Sequence, residues 1–145
     1  MKRVFITGGL GFIGSNFIIN QIKKNHQIQN FDKITYAANP NNLSNINNHS
    51  LYNFIKGDIS DKDSLYKSIN DFEPNYIVNF AAESHVDRSI DGPKEFINTN
   101  ILGTYELLQA SLMYYKNLSA DKKRSFKFLH ISTDEEYGSL GRQGY

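Results

Sequence analysis

Thr7-Gly8-Gly9-Leu10-Gly11-Phe12-Ile13-Gly14 stands directly behind the β-branched and aromatic run Val4-Phe5-Ile6, and the reading of this stretch decides the fold. It reads as a strand, a phosphate-cradling turn and a helix. Gly8 lets the chain turn sharply off the strand, Gly11 lets backbone approach a pyrophosphate, and Gly14 lets the helix pack closely on the sheet. The helix N-terminus then offers N–H groups and the positive end of its dipole to the anion. The spacing is GxxGxxG, one residue wider than the GxGxxG fingerprint, so the glycines alone are a weak signal. Their context strengthens it: an apolar strand precedes, the helical pattern Phe17, Ile18, Ile22 follows, and an acid, Asp32, comes about 20 residues further on.

With 145 residues and 39% hydrophobic content, the chain can build one sizeable core and one domain, residues 1–145. A net charge of +1 gives no basic excess for neutralising nucleic-acid phosphates. The absence of cysteine excludes disulfides, thiolate zinc sites and thiol chemistry. There is no apolar run long enough to span a membrane, and the first hydrophobic stretch breaks at Gly8, so no signal peptide is read and a cytoplasmic protein is expected. Histidines 26, 49, 85 and 130 show no metal-ligand spacing, so no metal is expected.

Short β-rich runs alternate with helical segments, the rhythm of a parallel sheet covered on both faces. Strands are expected at Arg3–Thr7, Gln27–Asp32, Tyr52–Lys56, Tyr76–Phe80 and Phe126–Ser132. Helices are expected at Phe12–Lys24, Lys62–Asn70 and Pro93–Asn117, the last with Ile97, Ile101, Tyr105, Leu108, Leu112 and Tyr115 at helical spacing. The asparagine-rich stretch 39–49 reads as a solvated loop with a short helical turn around Leu43 to Ile46, and Asp121-Lys122-Lys123-Arg124 as a solvated connection. The fold class is α/β, a Rossmann-like doubly wound parallel sheet truncated after about five strands.

In such sheets ligands bind beyond the carboxyl ends of the strands, where the strand order reverses. Asp32 ends the second strand, where a carboxylate can accept both hydroxyls of an adenosine ribose and repel a 2′-phosphate, favouring NAD over NADP. Gly57-Asp58-Ile59 places a carboxylate and an apolar side chain where an adenine could lie. After the fourth strand, Ala81 and Ala82 let a cofactor approach the backbone, while Ser84, His85 and Arg88 offer polar groups to a second ligand. The fifth strand runs through His130, read as a hydrogen-bonded core residue, into Ser132-Thr133-Asp134-Glu135. Two neighbouring carboxyls there can hold different protonation states and do acid and base work.

Thr7 to Gly14, Asp32 to Ala37, Gly57 to Ile59, Ala81 to Ile90, Thr99-Asn100 with Gly103-Thr104, and Ser132 to Glu135 closely resemble the dTDP-glucose 4,6-dehydratases of the extended short-chain dehydrogenase/reductase family. The resemblance covers the whole chain, and the Ala81–Ile90 and Thr133–Glu135 runs are its most specific parts. It implies an NAD-dependent reaction on a nucleotide sugar: oxidation at C4, loss of water across C5 and C6, and return of the hydride to C6, giving dTDP-4-keto-6-deoxyglucose. By the match, Glu135 takes the C5 proton, Asp134 protonates the departing hydroxyl and Thr133 hydrogen-bonds near C4. Phe12, Ile13, Asp32, Lys33, Ile34, Thr35, Asp58, Ile59, Phe80, Ala81, Ala82, Glu83, Ser84 and Thr99 would line the cofactor, and Ser84 would also touch the substrate.

Two departures accompany the match. Glu136 stands where the family has valine. No Tyr-x-x-x-Lys spacing occurs near the C-terminus, where the family carries its base for C4 oxidation, so the resemblance implies the amino-terminal part of a longer enzyme, inactive alone. The family's dimeric bundle pairs the helix after Pro93 with the missing Tyr-Lys helix, which assigns the homodimer to the longer enzyme. A related nucleotide-sugar epimerase or decarboxylase, or a non-catalytic dinucleotide-binding module, remains an alternative.

Overall fold

The computed structural model describes residues 1–85, 90, 92–133 and 138. Five parallel strands lie in the order β3-β2-β1-β4-β5: β1 is Arg3–Thr7, β2 Gln27–Asp32, β3 Tyr52–Lys56, β4 Tyr76–Asn79 and β5 Lys127–His130. In register, Val4 faces Ile28 on one side and Tyr76 on the other, so β1 is central. The chain reverses its direction of travel across the sheet between β1 and β4. That is the switch point at which open parallel sheets hold ligands.

Alternation along β1 supplies two cores. Phe5 points to the face where Phe31, Leu65, Ile69, Phe72, Ile77 and Leu107 pack. Val4 and Ile6 point to the other, with Ile18, Ile22, Ile28, Leu43 and Val78. Helix α1, Phe12–Lys23, covers the second face with Gly14, Ser15, Ile18 and Ile22 buried. A 3-10 helix, Pro40–Ile46, capped by the Asn39 side chain, docks Leu43 beside it. The asparagine-rich stretch is therefore solvated around one fully buried leucine. On the first face lies α2, Lys62–Phe72, capped by Asp61. It runs on past the expected end at Asn70, because Phe72 still has core to bury.

The long helix after Pro93 differs most from expectation. It is a helical turn α3, Pro93–Phe96, then a π-helical stretch Ile97–Gly103, then α4, Thr104–Lys116. Its core face is Gly103, Leu107, Ala110, Ser111 and Tyr114, a different face from the apolar stripe at helical spacing. Ile97, Ile101, Tyr105, Leu108, Leu112 and Tyr115 are all exposed large hydrophobics. The helix is apolar on two sides, and the side with Leu107, Ala110 and Tyr114 packs into the first core against α2. Gly103 lies close to the loop after β3: a Cβ there would come 2.7 Å from Ile59.

Three smaller expectations are also corrected. The charge run at 121–124 forms a helix, α5, Ala120–Ser125, capped by Ser119. Strands β4 and β5 are shorter than expected, although Phe80 and Ile131 each still donate one ladder hydrogen bond. His130 is exposed rather than buried, because β5 is an edge strand among the described residues. No helix among these residues is long and apolar enough to cross a membrane.

Candidate functional site

The glycine turn leaves β1 at Gly8, whose φ of +69° is a conformation that side-chain-bearing residues rarely adopt. The Gly11 N–H returns to the Gly8 carbonyl at 3.2 Å, closing the turn. Gly14 lies beneath it, where a Cβ would come 2.5 Å from the Gly8 oxygen. Gly9, unused by the expected spacing, is equally committed: a Cβ there would overlap Asn30 of β2 and Ile18 of α1. Gly11 is the N-cap of α1 and gives it no side-chain cap, and the first turn carries no acidic residue. The leading N–H groups of that helix thus lack an intrahelical acceptor and are available to an anion. Phe12 and Ile13, on the first turn, are 81% and 62% exposed.

A cleft with about 570 Å³ of space, open to solvent, lies at the carboxyl ends of β1 to β4. It gathers most of the residues expected there: Gly8, Gly11, Asp32, Lys33, Thr35, Asp58, Ile59, Phe80, Ala81, Ala82, Glu83 and Thr99. Phe31, Ala37, Ala38 and Gly57, not named among the cofactor-lining residues, join them. Phe12, Ile13, Gly14, Ile34 and Ser84 are not among its walls.

Asp32 is almost fully buried, at 8% exposure, and its carboxylate is held in place. One oxygen accepts the Leu10 N–H at 2.9 Å, and the other accepts the Ile34 N–H at 2.8 Å. The acid is both a turn cap and an oriented acceptor, since each carboxylate oxygen keeps a further lone pair. Lys33 Nζ reaches across to Asp58 at 2.8 Å, while the other Asp58 oxygen accepts the Ser60 N–H at 3.0 Å. Burial disfavours the charged form of Asp58, but the Lys33 and Ser60 hydrogen bonds outweigh it and hold the carboxyl below its ordinary range. The bond to Asp58 raises Lys33 above the ordinary lysine value against a smaller desolvation effect.

The backbone from Ala81 to Glu83 separates this cleft from a second one. The second has about 980 Å³ of open space between Ser84, Asn100, Thr104, His130, Ser132 and Thr133. Ser84 and Thr133, two residues expected to meet substrate, are thereby brought together on its walls. Two asparagines pin the partition. The Asn79 side-chain oxygen accepts from the Ala81 N–H at 3.1 Å and from the Thr7 hydroxyl at 2.5 Å. Its amide nitrogen meets His130 Nδ1 at 3.0 Å. With the oxygen taken by two donors, the amide must donate to the histidine, which puts the imidazole proton on Nε2. Asn100 accepts the Glu83 N–H and donates to the Glu83 carbonyl, both at 2.8 Å. Sequence reasoning gave Asn79 and Asn100 no such bonds; they satisfy an extended stretch of backbone that no strand pairs.

His85 is exposed and its ring lies 5.8 Å from that of Tyr36, whose hydroxyl donates to Glu83 at 2.9 Å. Arg88, Asp134, Glu135 and Glu136 lie outside the described residues.

The chain spans about two fifths of the length of the curated relatives it matches. It is 45% identical over 144 residues to the dTDP-glucose 4,6-dehydratase of Xanthomonas campestris pv. campestris (strain B100), covering 99% of this chain and 41% of that protein. The crystal structure of dTDP-glucose 4,6-dehydratase from Bacillus anthracis in complex with NAD superposes with a TM-score of 0.81 at 38% identity, covering 99% of this chain and 41% of that one. The enzyme of the same name from Streptomyces venezuelae, with NAD and TYD bound, gives 0.82 at 36% identity, covering 96% of this chain and 42% of that one. The sequence profile of the GDP-mannose 4,6-dehydratase family matches residues 5–145. The cleft at the switch point, the sequence profile and these relatives agree, and the chain belongs to the GDP-mannose 4,6-dehydratase family.

Proposed function

We propose that the first cleft holds NAD, and that residues 1–145 are the NAD-binding part of a nucleotide-sugar dehydratase acting on dTDP-glucose. The observation that carries this reading is the cleft itself, which brings the glycine turn, the oriented Asp32 carboxylate and the Asp58–Ile59 pair to one wall-to-wall space at the switch point. These residues fit a dinucleotide. The uncapped first turn of α1 suits a pyrophosphate, Asp32 suits a ribose diol, and Ile59 with the Asp58 carboxylate suits an adenine. Dehydratase relatives described with NAD support the same assignment.

Held by the glycine turn, Asp32 and the Asp58–Ile59 pair, NAD would supply reversible hydride acceptance to the sugar. The proton of the C4 hydroxyl would pass to the Tyr-x-x-x-Lys base that the resemblance assigns to the longer enzyme, and this chain's own residues do the proton work of the elimination. In this proposal Thr133, on the wall of the second cleft, hydrogen-bonds near C4. Glu135 removes the C5 proton, acidified by the adjacent carbonyl, and Asp134 donates a proton to the departing C6 hydroxyl. Two adjacent carboxyls suit this division, because repulsion between them keeps one protonated when the other is ionised. Ser84, on the wall of the second cleft, meets the substrate, and His85 and Arg88 contribute to the nucleotide-sugar side. The composition and the lack of cysteine fit a cytoplasmic enzyme of this kind.

The test uses the whole protein that carries this segment, incubated with dTDP-glucose and NAD. Mass spectrometry of the sugar nucleotide is expected to show loss of one water. A converted product of unchanged mass would mean epimerisation and would contradict the proposal.

A further inference from the structure

We infer that Asp58 is a specificity-determining residue for NAD over NADP, acting by holding Lys33 away from the ribose 2′ position. The inference rests on the NAD reading above and deepens it. A lysine directly after the ribose acid is the wrong neighbour for a site that rejects a 2′-phosphate. A free ammonium there would attract the phosphate and offset the repulsion from Asp32.

Lys33 is not free. Its Nζ is 2.8 Å from Asp58 and 4.0 Å from Glu95, so one cation ties the loops after β2 and β3 to helix α3. The Glu83 carboxylate also acts on it electrostatically. Asp58 is a firm anchor, because its second oxygen is occupied by the Ser60 N–H. The two loops are further fixed by the Gly57 N–H donating to the Asp32 carbonyl at 3.0 Å. Asp32, Asp58 and Glu83 on the cleft walls, with Glu95 4.0 Å from Lys33, therefore outnumber a single lysine that is already paired. The rejection of phosphate is the work of this arrangement, and Asp58 is the member whose removal releases the cation.

Calorimetric titrations of the chain with NAD and with NADP test this, read as the ratio of the two affinities. Both dinucleotides share the adenine, so any contact that Asp58 makes with the base cancels in the ratio. Asp58→Asn is expected to raise the NADP-to-NAD affinity ratio about tenfold, the worth of one charge-assisted hydrogen bond. Adding Lys33→Ala to Asp58→Asn is expected to return the ratio to its starting value. An unchanged ratio in Asp58→Asn, or an equal rise with Lys33 removed, overturns the inference while leaving the NAD site standing. If the unaltered chain binds neither dinucleotide, the NAD reading fails and this inference fails with it.

Discussion

Gly8→Val is expected to abolish NAD binding and to lower the melting temperature sharply. Valine at a φ of +69° is strained, and its Cβ would come 2.5 Å from the Ala81 nitrogen and 2.6 Å from the Phe80 carbonyl carbon. Both neighbours are backbone, and the Ala81 nitrogen is held by Asn79, so the contact cannot be relieved by a rotamer change. Strain and overpacking together cost about 3 kcal/mol or more. In a chain of this size that lowers the melting temperature by roughly 10 °C. Gly11→Ala is the informative partner, since a Cβ there meets only the Gly8 oxygen at 3.4 Å. It is expected to melt close to the parent, so weaker NAD binding in that variant would report the ligand's approach to the turn. A Gly8→Val protein that melts like the parent would contradict the packing of the β1 turn against the end of β4.

Asp32→Ala is expected to weaken NAD about 10- to 100-fold in calorimetry, from the loss of charge-assisted hydrogen bonds to a ribose. The same carboxylate caps the Leu10 and Ile34 N–H groups, so the substitution also loosens the turn. Thermal melting separates the two effects: a small fall in melting temperature with a large fall in affinity assigns the carboxylate to the ligand. Unchanged affinity would remove Asp32 from the site.

The parts of this fold that were legible in the sequence are those fixed by local chemistry. The glycine turn, the acid ending β2 and the small residues after β4 each announce a backbone requirement within a few residues. Their arrangement at the strand ends follows from the parallel topology. What was not legible depends on contacts distant in sequence. The stripe from Ile97 to Tyr115 has good helical spacing, yet the face with Leu107, Ala110 and Tyr114 is the buried one, because it meets α2 and the first core, contacts distant in sequence. The π-helical stretch that carries Thr99 and Asn100 left no mark in the residue pattern. Phe31 enters the cleft wall because Gly57 opposite has no side chain, a pairing of residues 26 positions apart that spacing rules do not examine. His130 was placed in the core because its strand is apolar, and edge position is a property of the whole sheet.

The most direct test of the central claim is an NMR titration of the chain with NAD, following backbone amide shifts. The account predicts saturable shifts concentrated at Gly8 to Gly14, Asp32 to Thr35, Gly57 to Ile59, Phe80 to Glu83 and Thr99. Absence of shifts at millimolar NAD, or shifts confined to α4 and β5, would contradict it.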